Sequence, residues 1–192
     1  VKGDNIMKRL VVITVGKTHC GKSTFARELE NELENSFVLD QDNHAEFVNR
    51  HYKKLQPKTE PNTLKHSISK LIAEYAIENT DLHIIVSSAN RTRKGRKYLL
   101  KEVYNKDEFI RILVNFDIPD EILKERVINS KRNTNILRGA YSNFEQVLIR
   151  QQAESLHEDV VDPGEGEADY LYIIKNSKEV NSTIKEIVKI SK

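Results

Sequence analysis

Gly16-Lys17-Thr18-His19-Cys20-Gly21-Lys22-Ser23 sets two glycines, a lysine and a serine at the spacing G-x-x-x-x-G-K-[ST]. These residue types at that spacing suit a chain of phosphates. Gly16 and Gly21 let the backbone turn so that successive N–H groups face anionic oxygens, in conformations that a Cβ hinders. A helix opening near Gly21 adds the positive end of its dipole. Lys22 supplies a mobile ammonium for β- and γ-phosphates, and the Ser23 hydroxyl is a ligand for Mg²⁺. The expected nucleotide-binding residues are Gly16, Lys17, Thr18, His19, Cys20, Gly21, Lys22, Ser23 and Thr24, with His19 and Cys20 read as spacers. The expected ligand is ATP or GTP with Mg²⁺.

A phosphoryl donor needs an acceptor and a carboxylate to orient or take the acceptor's proton. Asp40-Gln41-Asp42 supplies two candidates beyond a second apolar run. On an extended segment they point in different directions, one toward the γ-phosphate and the other toward the structure or the metal shell. The same residues, with Asn43, also suit a turn or a helix N-cap. Ser87-Ser88-Ala89-Asn90-Arg91 follows a third run, and Arg91 opens a basic cluster with Arg93, Lys94, Arg96 and Lys97. Arg91 or Arg93 is read as a ligand for a charged acceptor, with Lys94 to Lys97 facing solvent. Arg126, Lys131, Arg132 and Arg138 bracket a polar, aperiodic segment, about 129–143, that reads as a lid closing over the nucleotide.

Chemistry at these positions requires elements that hold them. Leu10–Val15 is a continuous β-branched run suited to a strand buried on both faces. Phe25, Leu29 and Leu33 recur at helical spacing directly after the glycine-rich turn. Phe37–Leu39, His83–Val86, Ile110–Phe116 and Tyr170–Ile174 read as four more strands. Helical patterns run through Leu64, Ile68, Leu71, Ile72 and Tyr75, after a loop marked by Pro57 and Pro61. Further patterns include Ile122, Leu123 and Val127; Phe144, Val147, Leu148 and Gln151; and Val180, Ile184, Ile187 and Val188. Five strands alternating with helices imply an α/β fold with a mostly parallel sheet covered on both faces. The acidic stretch 157–168 reads as a second long loop.

The chain has 192 residues and no internal repeat, so one domain over 1–192 is expected. A net charge of +2 is too small to be a nucleic-acid footprint by itself. One cysteine excludes an internal disulfide and a cysteine-based zinc site. No apolar run is long enough to span a bilayer, and the first ten residues lack a secretory apolar core, so a cytoplasmic location is expected.

The segments VVITVGKTHCGKSTFAREL, LDQDNHAEF, SSANRTRKGR, VNFDIPDEILKERV and EADYLYIIKNSKEV together resemble the P-loop kinases that include polynucleotide 5′-kinases and zeta-toxin-type kinases. LDQDNHAEF is also similar to the acidic step of adenylylsulfate kinases. The resemblance implies a nucleoside-kinase-like, three-layer P-loop NTPase fold with a lid. It also implies Asp42 as the acceptor-side carboxylate with Asp40 beside it, Arg126 and Arg132 as lid arginines, and the last strand near the adenine. Many relatives carry an aspartate where this chain has Ser87-Ser88, which shifts metal binding to Ser23 and an aspartate of the second-strand step. Ala45 stands where polynucleotide kinases usually place an arginine. The expected activity is transfer of the ATP γ-phosphoryl group to a hydroxyl of a small molecule or nucleic-acid end. The expected catalytic residues are Lys22, Asp42, Arg126 and Arg132, with Asp40, Asp42 and Arg91 on the acceptor. The competing reading is a P-loop ATPase or nucleotide-dependent switch acting on a partner protein.

Overall fold

The computed structural model of the protein describes residues 8–57, 63–137 and 139–192. Pro61 of the expected loop and Arg138 of the expected lid lie outside the described residues. Five strands, β1 (Arg9–Val15), β2 (Ser36–Asp40), β3 (His83–Ser87), β4 (Phe109–Phe116) and β5 (Tyr170–Ile174), form one parallel sheet in the order β2-β3-β1-β4-β5. β1 lies at the centre because its residues Leu10 to Val15 are apolar or hydroxylated on both faces and all are buried.

Side chains alternate along β1 and divide the core. Leu10 and Val12 join Ile112 and Val114 of β4 under α1 (Lys22–Glu32), α5 (Asp120–Ile128), α6 (Phe144–Glu154) and α7 (Val180–Ile190). Val11, Ile13 and Val15 join Ile84, Val86 and Leu113 under α3 (Thr63–Asn79) and the segment after α4 (Arg93–Tyr98). That segment continues as a π-helical turn, Leu99–Val103. The result is the three-layer α/β architecture that the strand pattern predicts.

Two helices depart from the sequence reading. α2 (Gln41–His51) follows β2 without a break, so Asp40 and Asp42 sit at a strand-to-helix junction, which bears out the helix N-cap reading and not the extended segment. Asp40 caps that helix by accepting from the Asp42 N–H at 2.9 Å. In α3 the expected apolar markers Leu71 and Tyr75 face solvent, whereas Ser69, Ala73 and Ala76 are buried. Small residues on the inner face bring the helix close to the sheet, and periodicity of large apolar residues does not register them. Among the described residues, no helix is long and apolar enough to cross a membrane.

Candidate active site

The glycine-rich turn joins β1 to α1 at the carboxyl edge of the sheet, where open parallel sheets bind ligands. Gly16 (φ 149°) and Gly21 (φ 112°) both have positive φ. A Cβ on Gly16 would lie 2.7 Å from Cys20 Sγ and 3.1 Å from Phe116 Cβ, so only glycine fits there. The Gly16 N–H donates to Ala89 O at 3.0 Å, and Asn90 Nδ2 donates to Thr14 O at 2.9 Å. The turn after β3 therefore buttresses the cradle.

Three of the four cradle spacers are tethered from outside the loop. Lys17 Nζ pairs with Asp120 Oδ1 at 2.5 Å. Burial alone would raise the Asp120 carboxyl, but bonds from Lys17 and Gln152 outweigh it and the net shift is downward. The Thr18 N–H donates to Gln151 Oε1 at 2.7 Å. The His19 ring bonds Thr18 Oγ1 at 2.9 Å and Ser130 Oγ at 2.7 Å, and meets the Phe144 ring edge-on at 4.8 Å. Arg126 Nη1 donates to His19 O at 3.1 Å. Burial, then the cations of Arg132, Lys22 and Arg126, lower the His19 pKa to about 4, so the ring is neutral near pH 7.

Lys22 folds back over the loop, its ammonium 2.6 Å from Lys17 O and 3.3 Å from Cys20 Sγ. Ser23 Oγ lies 3.2 Å from Asp40 Oδ2 and 3.5 Å from Ser87 Oγ, and Ser87 Oγ lies 3.4 Å from the same carboxylate oxygen. Asp40 is buried, and this small group of oxygens beside the cradle is suited to a hard cation. Mg²⁺ characteristically takes one or two carboxylates and completes its shell with water and phosphate, so the set fits that ion. Among the described residues, no cluster of three or more His, Cys, Asp or Glu side chains offers another metal site.

Asp42 points elsewhere. Its Oδ2 accepts from Arg132 Nη2 at 2.6 Å, with both side chains partly exposed at the cleft rim. Segment 129–137 crosses to α2 through this pair, through Asn133 to Glu46, and through Asn49 Nδ2 to the carbonyls of Asn135 and Leu137. Ile136 and Leu137 pack against the core beneath it. A cavity of about 1070 Å³ runs from the cradle to this rim. Gln41, Asp42, Lys65, Tyr141 and Arg150 line it, as do Ile174, Asn176, Val180 and Asn181.

Arg91 does not reach the cleft. Its guanidinium bonds Ser155 Oγ at 2.5 Å and sits 3.7 Å from Glu154, which removes it from the expected acceptor site. The basic cluster is also divided. Arg96, expected in solvent, is fully buried and donates to both oxygens of Glu167 and to the carbonyls of Asn90, Arg91 and Val161. Arg93, Lys94 and Lys97 are exposed. Sequence reasoning missed Asp120, Gln151, Ser130 and Arg150 as parts of the site. Gln151 left a trace as a polar residue on the inward face of the α6 pattern, and Ser130 as part of the expected lid segment.

Residues 11–158 match the family model AAA_33, an AAA domain. No curated protein sequence matches at a significant level. Three solved structures share the fold at low identity. A putative kinase from Chloroflexus aurantiacus has a TM-score of 0.64 at 14% identity, covering 95% of this chain and 98% of that one. Chaetomium thermophilum Kti12, in complex with ADP-AlF3, has a TM-score of 0.61 at 14% identity over 95% and 99%. The Mycobacterium tuberculosis APS kinase CysC, in complex with AMPPNP and APS, has a TM-score of 0.58 at 15% identity, covering 95% of this chain and 97% of that one. The fold is that of the P-loop kinases.

Proposed function

The chain belongs to the AAA_33 family of AAA domains, and from that premise we propose that it is a Mg²⁺- and ATP-dependent phosphotransferase acting on a hydroxyl of a small, negatively charged acceptor or a nucleic-acid end. The observation that carries the reading is one continuous cavity in which the cradle and Asp42 face the same space. At about 1070 Å³ it slightly exceeds the range of roughly 300–1,000 Å³ usual for one small ligand, which leaves room for donor and acceptor together. The basic lining residues, among them Lys65, Arg126, Arg132 and Arg150, outnumber the carboxylates Glu28 and Asp42, which favours an acceptor carrying negative charge.

In this reading the loop amides and Lys22 hold the phosphates, and Ile174, Asn176 and Val180 receive the base. Ser23 and Asp40, with Ser87 behind them, would hold Mg²⁺, which supplies charge neutralisation on the phosphate oxygens when bound. The acceptor oxygen attacks the γ-phosphorus, the bond to the β–γ bridging oxygen breaks, and ADP leaves with that electron pair. Asp42 takes the acceptor's proton, while Arg126 and Arg132 offset the charge that develops on the transferring group. Arg132 must exchange its bond to Asp42 for the phosphoryl group, so the carboxylate becomes free as the cation moves.

A screen with γ-labelled ATP across nucleosides, sugars, nucleic-acid 5′-hydroxyls and anionic metabolites tests this. A labelled product distinct from phosphate is expected. Label recovered as inorganic phosphate with every acceptor would instead favour the ATPase or switch reading.

A further inference from the structure

We infer that Gln151 is a positioning residue that aims the Lys22 ammonium at the nucleotide through the single peptide unit between Lys17 and Thr18, an inference that rests on the nucleotide-binding reading above. That unit is held at both ends. Its carbonyl, Lys17 O, accepts from Lys22 Nζ at 2.6 Å, and its amide, the Thr18 N–H, donates to Gln151 Oε1 at 2.7 Å. A trans peptide is planar, with C=O and N–H pointing in opposite directions, so fixing one group fixes the other. Gln151 therefore sets the direction of the carbonyl that receives Lys22.

The anchor is stiff. Gln151 is 6% exposed and lies on the inward face of α6 with Phe144 and Leu148, which are core residues. The neighbouring Gln152 bonds Asp120, and Asp120 holds the Lys17 side chain, so the same residue is gripped a second time. The donor is a backbone N–H, so the carbonyl oxygen of the Gln151 amide must face it. A Thr18 N–H committed to Gln151 is also withdrawn from phosphate, which leaves the amides from His19 onward to form the cradle.

Without Gln151 the peptide is free to rotate and the lysine loses its rest. Lys22 serves the β- and γ-phosphates, so the loss should weigh on ATP more than on ADP. A merely structural glutamine would weaken both nucleotides alike or lower stability alone.

Calorimetry with Mg·ATP and Mg·ADP on the full chain tests this in wild type, Gln151→Met, Lys22→Met and the double variant. Methionine matches the length of glutamine and lacks the acceptor. Gln151→Met should reduce the ratio of ATP to ADP affinity by about tenfold in the wild-type background, and by less than about twofold when Lys22 is already absent. An equal loss for both nucleotides, or the same loss with and without Lys22, overturns the inference. Wild-type protein that binds neither nucleotide overturns the nucleotide reading and this inference together, whereas a wild-type preference for ATP that survives Gln151→Met overturns this inference alone. Should the variant fold poorly, hydrogen exchange on nucleotide-free wild type decides. The Thr18 amide should be protected, and exchange at the rate of an open loop overturns the proposal.

Discussion

His19 joins parts of the site that belong to different elements, and it does so at φ 60°, where non-glycine residues other than Asn and Asp are uncommon. Its ring ties Thr18 to Ser130, between the cradle and the start of the segment over α2. The imidazole is harder to protonate in the folded protein, near pH 4, than in the unfolded chain, near pH 6.5. Protons therefore bind the unfolded state preferentially in that window. The contribution of His19 to stability is complete above pH 6.5 and is lost as the pH falls toward 4. Desolvation shifts His44, His66 and His83 in the same direction, so the wild-type slope has several sources. His19→Asn removes one titration while keeping a residue that tolerates the backbone. Thermal melts from pH 8 to pH 4.5 should show a shallower fall in Tm for the variant, and parallel curves would remove His19 from the acid response. The sequence showed His19 only as a spacer because Ser130, Arg126 and Arg132 meet it through the fold.

Helices and loops carry the remaining site residues to the sheet edge. Segment 129–137 lies against α2 through Arg132, Asn133 and the two carbonyls bound by Asn49. Such a strap orders at an entropic cost of roughly 1–2 kcal/mol per residue, so nucleotide charge should deepen its protection. Hydrogen exchange across 129–137 should slow with Mg²⁺ and a non-hydrolysable ATP analogue, and equal exchange in both states would make it fixed surface. Asp42→Asn should lower transfer by ~10²–10⁴-fold with ATP affinity largely spared, because the carboxylate serves the acceptor. Collapse of ATP affinity in that variant would place Asp42 with the phosphates instead. On the opposite side, Arg96 clamps the acidic loop 157–168 to the turn that supports Gly16. Arg96→Met strands Glu167 and three carbonyls, and should cost on the order of 3 kcal/mol in denaturant unfolding. A loss under about 1 kcal/mol would mean water replaces the guanidinium without penalty.

Across the whole molecule, the parallel sheet was legible because its strands are nearly continuous apolar runs, and β1 and β4 are covered on both faces. The cradle was legible because its chemistry is local, eight consecutive residues whose types suffice. What remained hidden depends on distance along the chain. Gln151 and Thr18 are 133 residues apart, and Arg96 and Glu167 are 71 apart, so no window of sequence contains either pair. α2 left only the N-cap reading of its first residues, because only Ala45 and Val48 face inward from an otherwise polar helix. The two aspartates at its start were seen, but their division of labour is set by the strand-to-helix junction, which turns Asp40 toward Ser23 and Asp42 toward Arg132. That division makes a prediction about the folded molecule as a unit, because ligand bound only to the native state raises its stability by mass action. At a hundredfold excess over Kd the gain is ~2.7 kcal/mol, which for a domain of this size raises Tm by roughly 5–11 °C. Mg·ATP should give such a shift, and a chelator should remove most of it if Ser23 and Asp40 form the cation site. Asp40→Asn should then show a small shift that no longer responds to Mg²⁺, while Asp42→Asn should keep the full metal-dependent shift. Differential scanning fluorimetry with and without chelator separates the cases. A metal-dependent shift that survives Asp40→Asn but vanishes in Asp42→Asn would exchange the roles of the two carboxylates and move the cation from the cradle to the rim.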